Sequence, residues 1–478
     1  MLSSHLGLIL GIFIPLCHLA GACASVNVIM NCRTSQGAIA WVLSLVFLPY
    51  FALPLYLVFG RAKFFGYLAS RRFDSANIRP LIDQLRPFIP DHHELSAVVQ
   101  QQYRAVERLA HIPFTKNNDV LLLVDGRETF DAVFNAIEHA QHYILIQFFI
   151  IHDDDLGRDL KTRLLRKAAE GIKIYLLYDK IGCHTLPKAY LAGLSAAGIT
   201  CSGFKTVHSW TNRLQLNFRN HRKIVIADGR VALLGGLNVG DEYMGRNPRF
   251  GPWRDTFVKI SGPAVLCAQL SFIEDWYCAT HSMPELAWTP VADGTGEKEV
   301  FILPSGPADT LETCGLFFLH AINNATKRVW ITSPYFVPDT HIMSALQLAA
   351  LRGADVRIML PQKPDHLLVY LSSFSYLREA EDAGIHIYRY QPGFLHQKVM
   401  LIDDEIATVG TVNLDNRSFR INFEITMLCI NRLFARDVAG MLERDFANCR
   451  KESVASYESR SFWFRLGVRC ARLLAPIQ

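Results

Sequence analysis

Two histidine–lysine pairs repeat at matching positions in the two halves of the sequence. The first pair is His221 and Lys223, the second is His396 and Lys398, and an apolar run follows each of them. Side chains at positions i and i+2 of an extended strand lie on one face of it, so the imidazole and the ammonium of each pair should project together. An Asn follows each His by seventeen residues. Each half therefore combines three groups that bind anions.

Two such halves facing each other would enclose two imidazoles, two ammoniums and the amides of Asn238 and Asn413. Cations and amides stabilise the negative charge that develops on the non-bridging oxygens of a phosphodiester. One imidazole can attack phosphorus while the other protonates the leaving alcohol. The pattern predicts phosphodiester chemistry in which lysines do the work of a metal, so we expect neither a metal nor another cofactor.

An Asp completes each motif as H-x-K-x4-D, at Asp228 and Asp403. We count both aspartates with the catalytic motif. Each stands five residues after the Lys, at the end of a predicted strand, where it is better placed to brace a turn or a Lys than to react.

Other polar residues favour structural interpretations. His92 and His93 stand in a polar stretch and are expected at the surface, and the Asp run at 153–155 is expected to be a solvated loop. Tyr335 and Phe336 follow a predicted strand near the mouth of the site. Contact with acyl chains and packing in the core both remain open for them.

The elements around the motifs are also duplicated. FNAIEHAQHYILIQFFI (134–150) parallels LHAINNATKRVWITSPYF (319–336), and AAEGIKIYLLYD (168–179) parallels ALRGADVRIMLP (350–361). Each piece pairs a helical pattern with a buried strand, which predicts α/β architecture in both halves. We expect five regions, namely two membrane helices, a cytoplasmic linker, a first half, a second half and a basic amphipathic tail, at residues 1–60, 61–110, 111–280, 281–450 and 451–478.

The first 32 residues contain no charged side chain, and residues 6–24 are long enough to cross a bilayer. A second uncharged run, 34–60, would be kinked by Pro49 and Pro54. These runs predict a hairpin of two transmembrane helices. The basic region with which a signal peptide begins is missing here, while cleavage before Cys23 stays open.

Basic residues give the hairpin an orientation. Only Arg33 lies between the two runs, whereas Arg61, Lys63, Arg71 and Arg72 follow the second. The positive-inside rule then places the large C-terminal part in the cytoplasm.

Composition excludes several classes of protein. With 50% apolar and 19% charged residues among 478, the chain is not disordered. A net charge of +5 without a dense basic track argues against nucleic acid as a partner. Eleven irregularly spaced cysteines encode neither a zinc framework nor a disulfide scaffold. The basic stretch 460–474 fits a helix packed on the core or one lying on a membrane.

The two H-x-K-x4-D motifs, each with a trailing Gly-x-x-Asn, resemble those of the phospholipase D superfamily over about residues 110–450. With the N-terminal hairpin, the whole chain resembles bacterial cardiolipin synthases. RDT at 254–256, TSPYFVPD at 332–339 and NFE at 422–424 add to this resemblance.

The resemblance implies two α/β/α sandwich halves related by a pseudo-twofold axis, with one active site between them. It implies phosphatidyl transfer between two phosphatidylglycerol molecules, giving cardiolipin and glycerol, through a phosphatidyl-histidine on His221 with His396 as the acid. Asp255 and Glu424 would each orient the imidazole of their own half. Phosphatidylglycerol and anionic membrane lipid are the expected partners, in the bacterial inner membrane, and pairing with a second copy of the chain stays open.

Two other functions remain open. A phospholipase D-type phosphodiesterase that hydrolyses its substrate, or transfers onto another alcohol, would have a similar pocket. A nuclease of this kind would need a Lys/Arg track along the backbone phosphates. A membrane scaffold with an inactive duplicated domain is disfavoured because both motifs are intact.

Overall fold

The computed structural model describes residues 2–32, 35–60, 95–204, 218–289, 296–475 and 478. Several residues named above lie outside these ranges: Arg33, Arg61, Lys63, Arg71, Arg72, His92 and His93.

Three helices form the N-terminal unit, where the sequence predicts two spans. Helix Leu2–Asn31 is continuous, and its part Gly11–Asn31 is long and apolar enough to cross a membrane. The second apolar run instead gives Ser35–Phe47 and Pro49–Phe59, of 13 and 11 residues. Proline disfavours helical geometry in the residue before it, and Leu48 accordingly leaves the helical region. Each piece is shorter than the roughly 20 residues that a span needs.

The three helices pack tightly on one another. Gly21 lets the backbone of Leu45 approach so closely that a Cβ there would clash with its carbonyl oxygen. The Tyr56 hydroxyl donates to Oδ1 of Asn27 over 2.8 Å. Most other large apolar side chains of this unit are exposed, as on a surface that lipid covers.

The described residues from 95 onward contain twenty strands, joined largely by helices. The strands are β1 Thr115–Val124, β2 Tyr143–Phe148, β3 Lys173–Asp179, β4 Thr200–Phe204, β5 Arg219–Asn220, β6 Ile224–Ala227, β7 Val231–Gly235, β8 Trp253–Arg254, β9 Thr256–Ser261, β10 Lys298–Ser305, β11 Arg328–Thr332, β12 Phe336–Val337, β13 Asp355–Pro361, β14 His386–Tyr390, β15 Phe394–Leu395, β16 Val399–Ile402, β17 Ile406–Gly410, β18 Leu414–Asp415, β19 Asn422–Ile430 and β20 Cys449–Lys451.

The helices of this part are Val99–Tyr103 (π-helical), Arg104–Ala110, Asp125–His139, Asp155–Ala169, Lys188–Ala196, Asp241–Met244 (3₁₀), Ala264–Thr280, Thr313–Asn324, Thr340–Leu351, Leu367–Phe374, Leu377–Asp382, Asn416–Arg420, Arg432–Ala447, Val454–Glu458 and Phe462–Leu473.

One mixed sheet runs through both halves. Its order in the first half is β4-β3-β2-β6-β7-β9-β1, and β1 then pairs antiparallel with β10 of the second half. From β10 the order continues as β19-β17-β16-β11-β13-β14, with β20 at the edge. Each strand from β1 out to β4 thus has a counterpart at the same distance from the β1–β10 pair, and only the edge strand β20 has none in this order. The expected α/β fold with two matching halves and pseudo-twofold symmetry is confirmed.

The described end of the region 61–110 belongs to this folded body. Tyr103 is fully buried, and its ring lies 6.3 Å from that of Phe114. The amide N–H and the hydroxyl of Ser96 both donate to the Glu299 carboxylate at the start of β10. Residues 95–110 therefore pack against the second half and are not a free linker.

Two short parallel pairings join the halves near the two histidine motifs. Strand β5, just before His221, pairs with the start of β19, and β15, just before His396, pairs with β8. Each pairing brings a backbone segment of one half beside a histidine motif of the other.

Asp228 and Asp403 fix the turns at the far ends of strands β6 and β16. Asp228 accepts hydrogen bonds from the amides of Gln141, His142 and Tyr143, over 2.7 to 2.8 Å. Asp403 accepts from the amides of residues 326–328 in the same way. Both aspartates have positive φ, 54° and 51°, in turns that reverse the chain.

Replacing Asp228 by Ala should lower the free energy of unfolding by about 2–4 kcal/mol, because three amides lose their acceptor and the residue keeps a left-handed conformation. Denaturant unfolding of the purified chain measures this. Asp404→Ala is the matched control, since its carboxylate pairs only with exposed parts of Lys327 and Arg328. Equal, small effects of both changes would contradict the bracing role.

Candidate active site

The two histidine motifs have the same local geometry. In each motif the Lys side chain folds back so that its Nζ donates to the carbonyl oxygen of the His two residues earlier, over 2.7 Å for Lys223. Lys223 is fully buried and Lys398 is nearly so. The structure therefore brings imidazole and ammonium together, as the i and i+2 spacing predicts.

Backbone hydrogen bonds hold each histidine against the opposite half. The amide of His221 donates to the carbonyl oxygen of Phe423 over 2.9 Å, as an extension of the β5–β19 pairing. The amide of His396 donates to the carbonyl oxygen of Arg254 over 2.8 Å, beyond the β15–β8 pairing. The next residues along the partner strands are Glu424 and Asp255.

These pairings produce two crossed histidine–carboxylate pairs. His221 Nδ1 lies 2.9 Å from Glu424 Oε2, and His396 Nδ1 lies 2.7 Å from Asp255 Oδ2. Both carboxylate side chains are fully buried. Asp255 and Glu424 do orient imidazoles, but the expected partners within one half are wrong: each carboxylate serves the histidine of the other half. Spacing counted along the chain carries no information on pairing between halves.

The crossed pairs set the tautomer of both rings. With Nδ1 bonded to a carboxylate, Nδ1 carries the proton and Nε2 presents a lone pair. Among the described residues, none hydrogen-bonds Nε2 of either ring. Aromatic side chains flank the rings, with the Phe149 centroid 5.1 Å from that of His221 and the Trp253 centroid 5.3 Å from that of His396. Each Nε2 is therefore left to act on a substrate.

Burial lowers the pKa of both imidazoles, and the pKa of His221 falls to about 4. The carboxylate partners raise these pKa values. The ammonium of the same half lowers each of them, and so does the ammonium of the other half, with Lys223 and Lys398 both acting on both rings. Both rings are therefore neutral at pH 7, which is the form that a nucleophile needs.

Burial also lowers the pKa of Lys398 to about 8 and that of Lys223 well below its ordinary value. Burial would raise the pKa of Glu424 and Asp255, but the adjacent imidazole and ammonium groups outweigh it, and both pKa values are lowered. The site thus holds ionised carboxylates beside ammoniums that an incoming anion would stabilise.

The residue between His and Lys anchors each motif to the core. Arg222 reaches the Asp275 carboxylate at 2.9 Å and donates from Nε to the carbonyl oxygen of Glu424. Gln397 donates to Asp445 over 2.7 Å, and Asp445 also pairs with Arg254. Sequence reasoning missed these anchors. The signal was present, because the middle residue of an extended triplet faces away from its two neighbours.

The two asparagines differ in their contacts. Asn238 Oδ1 accepts from the amide of Ile150, and its Nδ2 donates to the Tyr243 hydroxyl, each over 3.1 Å. An amide group has two N–H bonds, so one remains for a ligand. Asn413 is buried, and its Oδ1 has no hydrogen-bond partner within the described parts of the chain.

The remaining expected residues have structural contacts. The carboxylates of Asp228 and Asp403 are used in turns separated from the histidines by strands β6 and β16, so they do not join the catalytic group in which the motif placed them. Asp154 caps the helix Asp155–Ala169 through the amide of Gly157. Phe336 is buried, and the Tyr335 hydroxyl donates to Asp365 over 2.5 Å.

Comparison with known proteins gives one family match in each half. The family model described as "Cardiolipin synthase, PLD-like domain" matches residues 133–248 and 318–449, one match for each half. A model described as "Phospholipase_D-nuclease N-terminal" matches residues 24–61.

Curated relatives cover almost the whole chain. A cardiolipin synthase A from Pseudomonas fluorescens is 51% identical over 476 residues, and one from Pseudomonas entomophila is 50% identical over 474. Each alignment covers 98% of both chains. Among solved structures, phosphatidylserine synthase of Haemophilus influenzae aligns with a TM-score of 0.60 at 14% identity, over 79% of this chain and 99% of that one. That likeness concerns the fold.

A duplicated motif in matched halves, two family-model matches and relatives at half identity along nearly the full length lead to one conclusion: the chain belongs to the phospholipase D-like cardiolipin synthase family.

Proposed function

We propose that this chain is a phosphatidyltransferase that makes cardiolipin and glycerol from two phosphatidylglycerol molecules. The observation that carries the proposal is the pair of crossed His–carboxylate contacts, which present two oriented imidazoles to one pocket beside two buried lysines. Such a pocket has a nucleophile, an acid–base group and positive charge for a phosphodiester, and the relatives' names supply the substrate class.

In the first step, Nε2 of His221 attacks phosphorus of one phosphatidylglycerol. A P–N bond forms, the P–O bond to glycerol breaks, and His396 gives its Nε2 proton to the departing glycerol oxygen. The bound phosphodiester carries a negative charge, which raises the pKa of His396 and lets it hold that proton. The ammoniums of Lys223 and Lys398 stabilise the charge on the non-bridging oxygens.

In the second step, the neutral His396 takes the proton of a glycerol hydroxyl on another phosphatidylglycerol. The freed oxygen attacks phosphorus, the P–N bond to His221 breaks, and cardiolipin leaves. His396 is protonated again, so the cycle closes without any net change in the enzyme. Asn238 and Asn413 would hold the phosphoryl oxygens in both steps through their amide N–H groups.

The assignment of nucleophile and acid comes from the resemblance, since the two pairs are nearly equivalent in geometry. Glu424 stabilises the positive charge that His221 acquires on phosphorylation, and Asp255 does so for protonated His396. Both carboxylates are ionised, as their lowered pKa values require.

We also propose that the chain passes through the bacterial inner membrane more than once, with the catalytic halves in the cytoplasm. One helix is long enough to span, and the helices Ser35–Phe47 and Pro49–Phe59 together would have to make the return. The basic residues that follow position 60 support a cytoplasmic location for the catalytic part.

Mass spectrometry of lipids after incubation of the purified chain with phosphatidylglycerol tests the reaction. We expect cardiolipin and glycerol in equal amounts. His221→Ala and His396→Ala should each lower turnover by roughly 10³-fold or more, because neither role can be filled by another group in the pocket. His142→Ala, on an exposed ring, is the matched control. Phosphatidic acid as the main product would show that water is the acceptor and would contradict the transfer.

The lysine pKa predicts a pH limit. The ammonium of Lys398 is charged below its pKa of about 8 and loses its charge as the pH rises through that value. For monomeric short-chain phosphatidylglycerol, kcat/KM should therefore fall about tenfold per pH unit above that point. Lys398→Arg keeps the charge at all these pH values, so the part of the alkaline fall that Lys398 causes should disappear even if the rate is lower. An unchanged fall in the Arg variant would exclude Lys398 as its cause.

A further inference from the structure

Helix Phe462–Leu473 has two apolar faces, and only one of them is packed. Val468 and Ala471 are buried on the side that faces helix Leu367–Phe374. The Phe464 ring lies 5.3 Å from that of Phe374. Arg472 fastens the same side by donating to the Ser375 carbonyl oxygen and to Glu379. The sequence left open whether this helix packs on the core, and it does so with this face.

The other side of the helix is apolar and exposed. Trp463 is 76% exposed and Leu473 is 81% exposed. With 3.6 residues per turn, the exposed apolar side chains occupy an arc of roughly 120° on the side away from Val468 and Ala471. No described residue covers this arc. We call it the outer face, and it consists of Phe462, Trp463, Leu466, Cys470, Leu473 and Leu474.

Positive charge borders the outer face. Arg465 and Arg469 are exposed along one edge of it, and the helix contains no Asp or Glu. A helix with large apolar side chains on one face and arginines beside them typically lies in the interface of an anionic bilayer. The two charges complement anionic headgroups, whereas a second copy of this surface would bring like charges together.

The outer face is tied to the catalytic site by two routes. Helix Leu367–Phe374 begins two residues after Asp365, which bonds the Tyr335 hydroxyl at the edge of a cleft that Val369 and Arg389 also line. Asp365 is also one of the carboxylates that raise the pKa of Lys398 against the effect of burial.

The second route follows the last residues of the chain. Nδ2 of Asn416 donates to the Ala475 carbonyl oxygen over 3.1 Å. The amide N–H of Arg417 donates to the Gln478 carbonyl oxygen over 2.7 Å. Asn416 stands three residues after Asn413. A contact between the helix and a bilayer would therefore set the position of the catalytic pocket relative to the lipid.

We propose that helix Phe462–Leu473 lies in the surface of an anionic bilayer, with the outer face among the acyl chains and Arg465 and Arg469 at the headgroups. This contact is additional to the N-terminal helices and holds the pocket at the level of its lipid substrates. The role in positioning the pocket rests on the proposed function, while the contact with the bilayer does not.

Contact with the bilayer is tested by fluorescence quenching. The full chain is reconstituted into vesicles of phosphatidylcholine and phosphatidylglycerol, with or without dibrominated acyl chains. The difference between the unmodified chain and Trp463→Phe isolates the emission of Trp463. We expect this emission to be quenched strongly by the brominated lipid. Emission of Trp463 that brominated lipid leaves unchanged would overturn the proposal, including the case in which a second copy covers the outer face.

The consequence for the reaction is tested with two forms of the substrate. Leu466→Glu with Leu473→Glu places charge on the outer face and leaves the packed face intact. We expect cardiolipin formation from vesicles to fall at least tenfold, and that from monomeric short-chain phosphatidylglycerol to stay the same. Leu121→Glu with Leu433→Glu is the matched control, since these leucines are 57% and 63% exposed elsewhere. It should leave both rates unchanged.

Equal rates of the outer-face variant and the control on vesicles would overturn the role in positioning the pocket. If the unmodified chain makes no cardiolipin from either substrate, the proposed function fails. The quenching experiment still decides on the bilayer contact in that case, so the two failures are distinguishable.

Discussion

The crossing of the two histidine–carboxylate pairs is the constraint on which the site depends. Each half supplies a histidine that only the other half can orient, through Glu424 for His221 and Asp255 for His396. The β5–β19 and β15–β8 pairings align the backbones so that these contacts form. A single half would have an imidazole without an acceptor and a buried carboxylate without a partner, which costs several kcal/mol. The two halves therefore form one site together and not one site each.

The same constraint explains the charges in the pocket. Two ammoniums and two carboxylates are buried together, and the carboxylates keep their charge only because the imidazoles and lysines are close. Burial in this pocket lowers the pKa of both histidines and keeps them neutral at pH 7. In the proposed reaction, a phosphodiester anion supplies the negative charge that lets one of them take a proton, so binding of the substrate would prepare the acid for the first step.

Much of the fold followed from the sequence, because hydrophobic periodicity and the duplicated motifs report on local structure. The spacing of residues within single segments predicts the α/β architecture and the two halves. It also predicts that imidazole and ammonium lie together in the pocket. The N-terminal helices show a limit. Pro49 and Pro54 look alike as sources of a kink, yet the helix breaks at Leu48 and continues through Pro54. The two helical pieces also pack against the first helix, and the spacing of residues along the sequence does not reveal that packing.

The pairing of Asp255 and Glu424 could not be predicted in the same way. Both were identified as carboxylates that orient an imidazole, but the partner depends on which strands meet across the pseudo-twofold axis. The anchors Arg222 and Gln397 were missed for a related reason. Their partners Asp275 and Asp445 lie about 50 residues further along the chain, on helices whose orientation only the folded structure supplies.

The central claim is tested most directly with an activated phosphatidyl ester whose leaving group needs no proton. The initial burst of leaving group measures attack by the nucleophile, and its rate is compared in His221→Ala, His396→Ala, Glu424→Gln and Asp255→Asn. Crossed pairing predicts that Glu424→Gln loses the burst as His221→Ala does, while Asp255→Asn keeps it as His396→Ala does. If His221→Ala loses the burst and His396→Ala keeps it, loss of the burst in Asp255→Asn together with its retention in Glu424→Gln would contradict the crossed pairs.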